Sequence, residues 1–286
     1  MSILHSIYLG IIQGIAEFLP ISSSGHLQIA QQLFGLEEVP LLFDIFLHLA
    51  TLLAVCLVFW KKIWELLKCF GRWITKKPAP EKTDFASDEI LVGTEKAGRR
   101  TIIAIIISTI ITGVIGVFTS KLIPDLSTKY VCIGFLITSA LLIISTLIEK
   151  KRSSEEKAVA EKQEGVSVKQ SIFIGFMQGI GTLPGISRSG STISGALFSK
   201  LNRKAAGDYS FIISIPAILG AFVLDLKDLG EMTSSVGVVQ ILVGCLTAFV
   251  TGFISLKLLM KIISKGKLAW FAAYLIPAGI LGIIFL

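Results

Sequence analysis

The sequence predicts an all-α integral membrane protein: six transmembrane helices plus two re-entrant broken-helix hairpins, arranged as an inverted-topology repeat. Three observations carry this expectation. Of 286 residues, 53% are hydrophobic and 16% charged, and the mean hydropathy is +0.78; an ordinary soluble domain carries roughly 25% charged residues. Lys and Arg gather in clusters between long apolar runs. Two Gly- and Ser-rich stretches, 10–26 and 175–191, align at one constant offset. The composition excludes soluble globular, disordered and fibrous classes. The net charge of +7 follows from loop clusters that read as membrane topology, so no nucleic-acid partner is expected.

A spanning helix needs about 20 mostly apolar residues. Spans are predicted at 41–60, 101–118, 130–148, 208–224, 236–256 and 268–286. Two further apolar stretches are interrupted. Residues 3–36 contain Glu17, Pro20 and the run Ser22-Ser23-Ser24-Gly25-His26; residues 172–199 contain Pro184, Gly185 and Arg188. Broken polar helices persist at membrane depth only when buried in protein or facing a water-filled cavity. Each is therefore predicted to be re-entrant, returning to the face it entered. The basic clusters in 61–100, 149–171, 200–204 and 257–267 then share one face, expected to be cytoplasmic. The opposite loops hold Lys121, Lys129 and Lys227 beside Asp125, Asp225, Asp228 and Glu231. Segments 74–100 and 151–168 read as solvated linkers of low order. No Lys or Arg precedes the first apolar stretch and Glu17 interrupts it, so no cleaved signal peptide is expected. Cys56, Cys69, Cys132 and Cys245 lack CxxC spacing and read as buried thiols.

In the aligned stretches Gln13 meets Gln178, Gly14 meets Gly179, Ser22 meets Ser187, Ser24 meets Ser189 and Gly25 meets Gly190. The same offset carries 41–60 onto 206–225. Repeat 1 covers about 1–150 and repeat 2 about 170–286, each a hairpin plus three spans. An odd number of spans inverts the second copy. The hairpins then enter from opposite faces and meet near the middle, where inverted repeats with broken helices place their sites.

Ionisable groups inside a bilayer cost roughly 2.5–3.5 kcal/mol each on insertion scales, so those present are candidate functional groups. They are Glu17, His26, Asp44, His48 and Arg188. Gln13 and Glu17 are one helical turn apart, and Pro20 is predicted to end that helix near Leu19. A Ser- and Gly-rich break opening into a new helix offers backbone N–H groups and hydroxyls that suit a phosphate. Arg188 adds a fixed fork of donors matched to phosphate oxygens. Gln13, Ser22, Ser24, Ser187, Ser189 and Thr192 are the candidate phosphate-binding residues. Gln13 and Gln178 can also serve as interhelical glue. Asp44 and His48 either face the site or make a local polar contact.

QGIAEFLPISSSGHL and PGISRSGSTISGALF closely resemble the two signature stretches of the undecaprenyl-diphosphatase family, also called bacitracin-resistance proteins. FDIFLHLATLLAVCLVFW and DYSFIISIPAILGA are similar to that family as well, so the resemblance spans nearly the whole chain. It implies a phosphatase converting undecaprenyl diphosphate to the monophosphate, recycling the lipid carrier of peptidoglycan synthesis and giving bacitracin resistance. It also implies a divalent cation, Mg²⁺ or Ca²⁺, and a bacterial cell membrane with the site on the outer side. By position, Gln13 and Glu17 match the family's acidic motif, with Gln13 its uncharged variant; these two are the candidate metal ligands. Ser23 and His26 match the serine and histidine of the first hairpin, and Arg188, with Ser187 and Thr192, the arginine motif. Glu17, Ser23, His26 and Arg188 are thus the candidate catalytic residues, and the nucleophile is open among His26, Ser23 and a metal-activated water. The expected partners are the lipid substrate and the membrane, with a homodimer left open. The alternative is a polyprenyl-phosphate transporter or flippase using the same midplane site. A lipid phosphatase of the Ser-Gly-His type is excluded, because no histidine follows Arg188.

Overall fold

The computed structural model describes residues 1–36, 41–80, 85–86, 89–122, 127–225 and 236–286. Asp125, Lys227, Asp228 and Glu231 of the expected outer loops lie outside them. The described residues form α1 (Ile3–Phe18), α2 (Ser23–Leu33), α3 (Leu41–Val58), α4 (Trp60–Ile74), α5 (Glu95–Leu122), α6 (Thr128–Lys151), α7 (Ser154–Glu161), α8 (Val168–Ile180), α9 (Arg188–Phe198), α10 (Arg203–Asp225), α11 (Val238–Ser264) and α12 (Ala272–Phe285), with no strand among them. The chain is an all-α integral membrane protein.

Helices α5, α6, α10, α11 and the stretch Leu268–Phe285 are each long and apolar enough to cross a membrane. The expected span 41–60 is α3, which qualifies as a sixth only together with α4, from which it is bent by 77°. That bend sets α4 across the span direction. Glu65, Leu66 and Cys69 are buried on one side of α4, while Trp60, Trp64, Leu67 and Phe70 are exposed on the other. Lys61, Lys68 and Arg72 sit beside the apolar face. An amphipathic helix with tryptophans and flanking cations fits the membrane interface rather than a solvated loop.

Parts of the two polar segments expected to be low-order linkers are packed instead. Ile90, Leu91 and Val92 are buried, the Gly165 N–H donates to the Ile90 carbonyl at 2.7 Å, and α5 begins at Glu95. In the second segment, Ser153 and Glu156 form a capping box that starts α7, and Ala160 and Val166 are buried. Composition alone misses such short apolar runs between charges.

Both interrupted stretches are antiparallel hairpins of two short helices. His5 stacks on Phe34 at the open end of the first, with ring centroids 5.6 Å apart, while Ser23 meets Glu17 at its tip. In the second, Gln170 Nε2 donates to the Ser199 carbonyl at 2.8 Å at the open end, and Gly181 packs against Arg188 at the tip.

Helix α6 runs beside both. Its first turn meets the open end of hairpin one, where Thr128 Oγ1 donates to Gln32 Oε1 at 2.8 Å. Its far end meets the open end of hairpin two, where Arg152 donates to the Leu197 and Leu201 carbonyls. Between them, Gly25 packs on Phe135 and the Ser187 N–H donates to Thr138 Oγ1 at 2.9 Å. The 24 residues of α6 rise roughly 36 Å. The hairpins therefore enter from its opposite ends and bring their tips together beside its middle.

Close helix crossings hold the hairpins. Helix α1 packs along α11, and α8 along α5. A Cβ on Gly14 would collide with Thr251 and the Ala248 carbonyl. With no hydrophobic drive between helices in lipid, such small-residue contacts supply the packing.

Candidate active site

Helix α1 stops at Phe18 with Leu19 as its cap, one residue before Pro20, which removes a backbone donor. The chain turns and restarts as α2, whose cap Ser22 accepts from the Gly25 N–H and adopts φ 72°. A non-glycine residue held at positive φ in a tip of this kind marks a built turn. Ser187 caps α9 in the same way, accepting from the Gly190 N–H at 3.1 Å. Pro20 and Gly190 touch across the tips. The N-termini of α2 and α9, the positive ends of their dipoles, thus converge at one depth.

Glu17 is the centre of this junction, its side chain only 3% exposed. Arg188 pairs with Oε1. Oε2 accepts from Ser23 Oγ at 2.7 Å and from Gln13 Nε2 at 3.1 Å. His48 Nε2 stands 3.6 Å from the same oxygen. The predicted residues Gln13, Glu17, Ser23 and Arg188 are therefore in direct contact, although two hairpins contribute them. Gln13 Oε1 is buried without a hydrogen-bond partner among the described residues. Gln178, its counterpart, donates to Thr112 Oγ1 at 3.0 Å on α5 and holds helices together.

His48 is one of the five candidate ionisable groups, expected with Asp44 either to face the site or to make a local polar contact. The structure separates the two. The Asp44 carboxylate accepts from Gln31 Nε2 at 3.2 Å, whereas His48 donates from Nδ1 to the Asp44 backbone carbonyl at 2.8 Å and turns Nε2 towards Glu17. An ionisable residue one turn along a span was the available signal, but which way it faced was not.

Other predicted residues stand around the core of the site. Ser189 Oγ lies 3.2 Å from Ser187 Oγ, and Ser24 Oγ 3.5 Å from Ser22 Oγ, with Ser24 exposed. Thr192 Oγ1 donates to the Arg188 carbonyl at 2.6 Å, so its hydroxyl shapes the first turn of α9. Among the described residues no hydrogen bond or ion pair joins His26 to Glu17. Its Nδ1 donates to the Ser22 carbonyl at 2.8 Å, its Nε2 pairs with Tyr274 Oη at 2.7 Å, and its ring stacks on Phe135 and Tyr274. Tyr274 carried no signal in the sequence reading.

His26 and Tyr274 form the polar end of an apolar cleft of about 440 Å³, lined further by Ile12, Ile15, Leu19, Ile262 and Trp270. The cleft lies between α1 and the α11–α12 region. No cluster of three His, Cys, Asp or Glu side chains suited to a metal occurs among the described residues. The oxygens at the tips suit a hard cation all the same: the Glu17 carboxylate and the unpartnered Gln13 Oε1. Mg²⁺ is commonly held by one or two carboxylates, with phosphate oxygens and water completing its shell. The four cysteines are free thiols.

The fold and this junction define a polytopic membrane protein in which two hairpin tips, carrying the Glu17–Arg188 pair and serine hydroxyls, meet beside an apolar cleft. The chain belongs to the bacitracin resistance protein BacA family, whose model matches residues 6–281. It is 44% identical over 280 residues to an undecaprenyl-diphosphatase of Treponema denticola, covering 98% of this chain and 96% of the relative. It is 40% identical over 286 residues to one of Methanosphaera stadtmanae, covering 99% and 98%. It is 37% identical over 284 residues to one of Desulforapulum autotrophicum, covering 99% and 98%. These three relatives are named as diphosphatases and none as a transporter.

Proposed function

We propose that the protein hydrolyses undecaprenyl diphosphate to undecaprenyl phosphate and inorganic phosphate, recycling the lipid carrier of cell-wall synthesis in a bacterial cell membrane and conferring bacitracin resistance. The observation that carries this is the junction of the hairpin tips. Two helix N-termini, Arg188 and the serine hydroxyls meet there beside an apolar cleft, a match to a headgroup of several negative charges on a long hydrocarbon tail.

The tail lies in the cleft, which sets the headgroup direction. The lipid-linked phosphate sits on the His26 side and the terminal phosphate between Ser23 and Arg188. Phosphoryl transfer is chiefly positioning and charge neutralisation. Arg188 and the first backbone N–H groups of α2 and α9 hold the terminal phosphate. Ser23 Oγ attacks its phosphorus, the P–O bond to the lipid phosphate breaks, and the Ser23 proton passes to Glu17 along the 2.7 Å hydrogen bond. His26 protonates the departing lipid phosphate, and water then releases phosphate from Ser23. Glu17 and Gln13 Oε1 are the donors that would hold Mg²⁺ or Ca²⁺, which supplies neutralisation of the phosphoryl oxygens when bound.

The two halves are an inverted repeat. The reciprocal packing of α1 on α11 and α8 on α5 supports this, because each hairpin leans on a span of the other half. The site opens to the outer face, since the open end of hairpin one lies opposite the ends that carry most of the Lys and Arg. An impermeant maleimide should label Ser24→Cys in intact cells; labelling only after disruption would reverse that orientation.

The direct test measures phosphate release from undecaprenyl diphosphate by purified protein in detergent, with and without Mg²⁺ or Ca²⁺, beside Arg188→Ala. Release that depends on Arg188 is expected; folded protein that releases none overturns the phosphatase reading.

A further inference from the structure

The geometry points to Tyr274 as a latch on His26 that the hydrocarbon tail of the substrate releases, which makes Tyr274 a positioning and specificity-determining residue. The inference rests on the phosphatase reading above and extends it to how the protein selects long-chain lipid diphosphates over water-soluble ones.

The Ser22 carbonyl can only accept a hydrogen bond, so His26 Nδ1 must carry a proton to make its 2.8 Å contact. The reactive nitrogen of the ring is therefore Nε2. That nitrogen is occupied: Tyr274 Oη lies 2.7 Å from it. If the ring is neutral, the phenol donates to Nε2; if the ring is protonated, Nε2 donates to the phenol oxygen. In either case Nε2 cannot reach a phosphate while this bond stands. Phe135 on the other face, with centroids 4.8 Å away, keeps the imidazole from swinging aside, so the movable partner is Tyr274. Tyr274 is 49% exposed, and it sits on the wall of the apolar cleft with Ile15, Leu19, Ile262 and Trp270.

A tail entering the cleft competes with the Tyr274 ring for these contacts. A long tail displaces the ring and frees Nε2 beside the lipid-linked phosphate. A short diphosphate can still be held by Arg188, yet it leaves the latch shut. Binding energy from the unreactive part of the substrate is thus converted into rate rather than affinity. The cleft is assigned to this tail because it is continuous with the site through His26 and is apolar elsewhere.

The test compares kcat and KM for undecaprenyl and farnesyl diphosphates in wild-type protein and Tyr274→Phe. For wild type, kcat should fall with the shorter tail, and Tyr274→Phe should raise kcat on farnesyl diphosphate roughly three- to tenfold, the range expected for one neutral hydrogen bond. The ratio of kcat values for the two chains should then collapse. Wild-type protein that turns over neither substrate overturns the phosphatase reading itself. Turnover of both with an unchanged ratio in Tyr274→Phe overturns the latch alone, as does an equal fall on both substrates, which a structural role would give. Should Tyr274→Phe fail to accumulate, nitrogen-15 spectra of wild-type protein can replace it, since the chain holds only 3 histidines. Adding undecaprenyl phosphate should shift the Nε2 signal of His26 while inorganic phosphate does not; no shift, or the same shift with both, overturns the proposal.

Discussion

Arg188 is bonded to Glu17 across 171 residues of sequence, and this pair joins the two hairpin tips. Both groups are at membrane depth, where an unpaired charge is costly. The pair is at once the structural closure of the junction and the charge set offered to a phosphate.

Removing either member should abolish most turnover. Arg188→Ala and Glu17→Gln are each expected to lower kcat by about 10²–10³ or more, the scale for losing one group that stabilises transition-state charge. The double variant should be little worse than either single one, because the groups act as a unit. Phosphate release by the three purified variants, with circular dichroism to confirm folding, checks this.

Gln13 should tune the cation requirement. Gln13→Glu places a second carboxylate within one helical turn of Glu17 and converts a weak amide donor into a strong one for a hard cation. The Mg²⁺ concentration for half-maximal phosphate release should fall, and Ca²⁺ binding measured by calorimetry without substrate should tighten. A chelator should remove activity from both proteins.

Packing of α1 on α11 depends on the absence of a side chain at Gly14. Gly14→Val drives a branched side chain into Thr251 and the Ala248 carbonyl, and overpacking of this kind costs about 1–3 kcal/mol. The melting temperature in detergent should drop by several degrees, whereas Gly113→Ala, where a Cβ meets open space and alanine is the better helix former, should not lower it.

Glu89 should give the protein an acid-sensitive hold on its basic end. Burial pushes its carboxyl up, but the hydrogen bonds from Lys204 and Lys62 outweigh this and set it below the ordinary carboxylate value. A group depressed in the folded state stabilises fully above its unfolded value, about 4.3, and loses that contribution as pH falls through the folded value. Glu89→Gln should therefore melt a few degrees lower than wild type at pH 7, with the gap closing below about pH 4.

Much of this architecture was legible because its causes are local. Pro20 ends a helix by chemistry that needs no partner, and serine at the start of a helix is a favoured cap. The contact of Gln13 with Glu17 follows from helical spacing alone. What stayed hidden depends on distant partners. His48 turns to Glu17 while Gln31 holds the Asp44 carboxylate. The partner of His26 Nε2 is Tyr274, 248 residues further along the chain. Helix α4 read as loop because its cations dilute an apolar face that only helical winding assembles.

The position of α6 between the hairpins has a mechanical consequence. The depth at which the two tips meet is fixed by contacts with the turns of one continuous helix, from Phe135 to Thr138, and not by the lipid around it. A thicker or thinner bilayer can tilt the outer spans, at fractions of a kcal/mol per Å of mismatch, while the spacing between Glu17 and Arg188 stays where α6 holds it. Catalysis should thus tolerate membranes of different thickness, because the distance that matters is measured along protein.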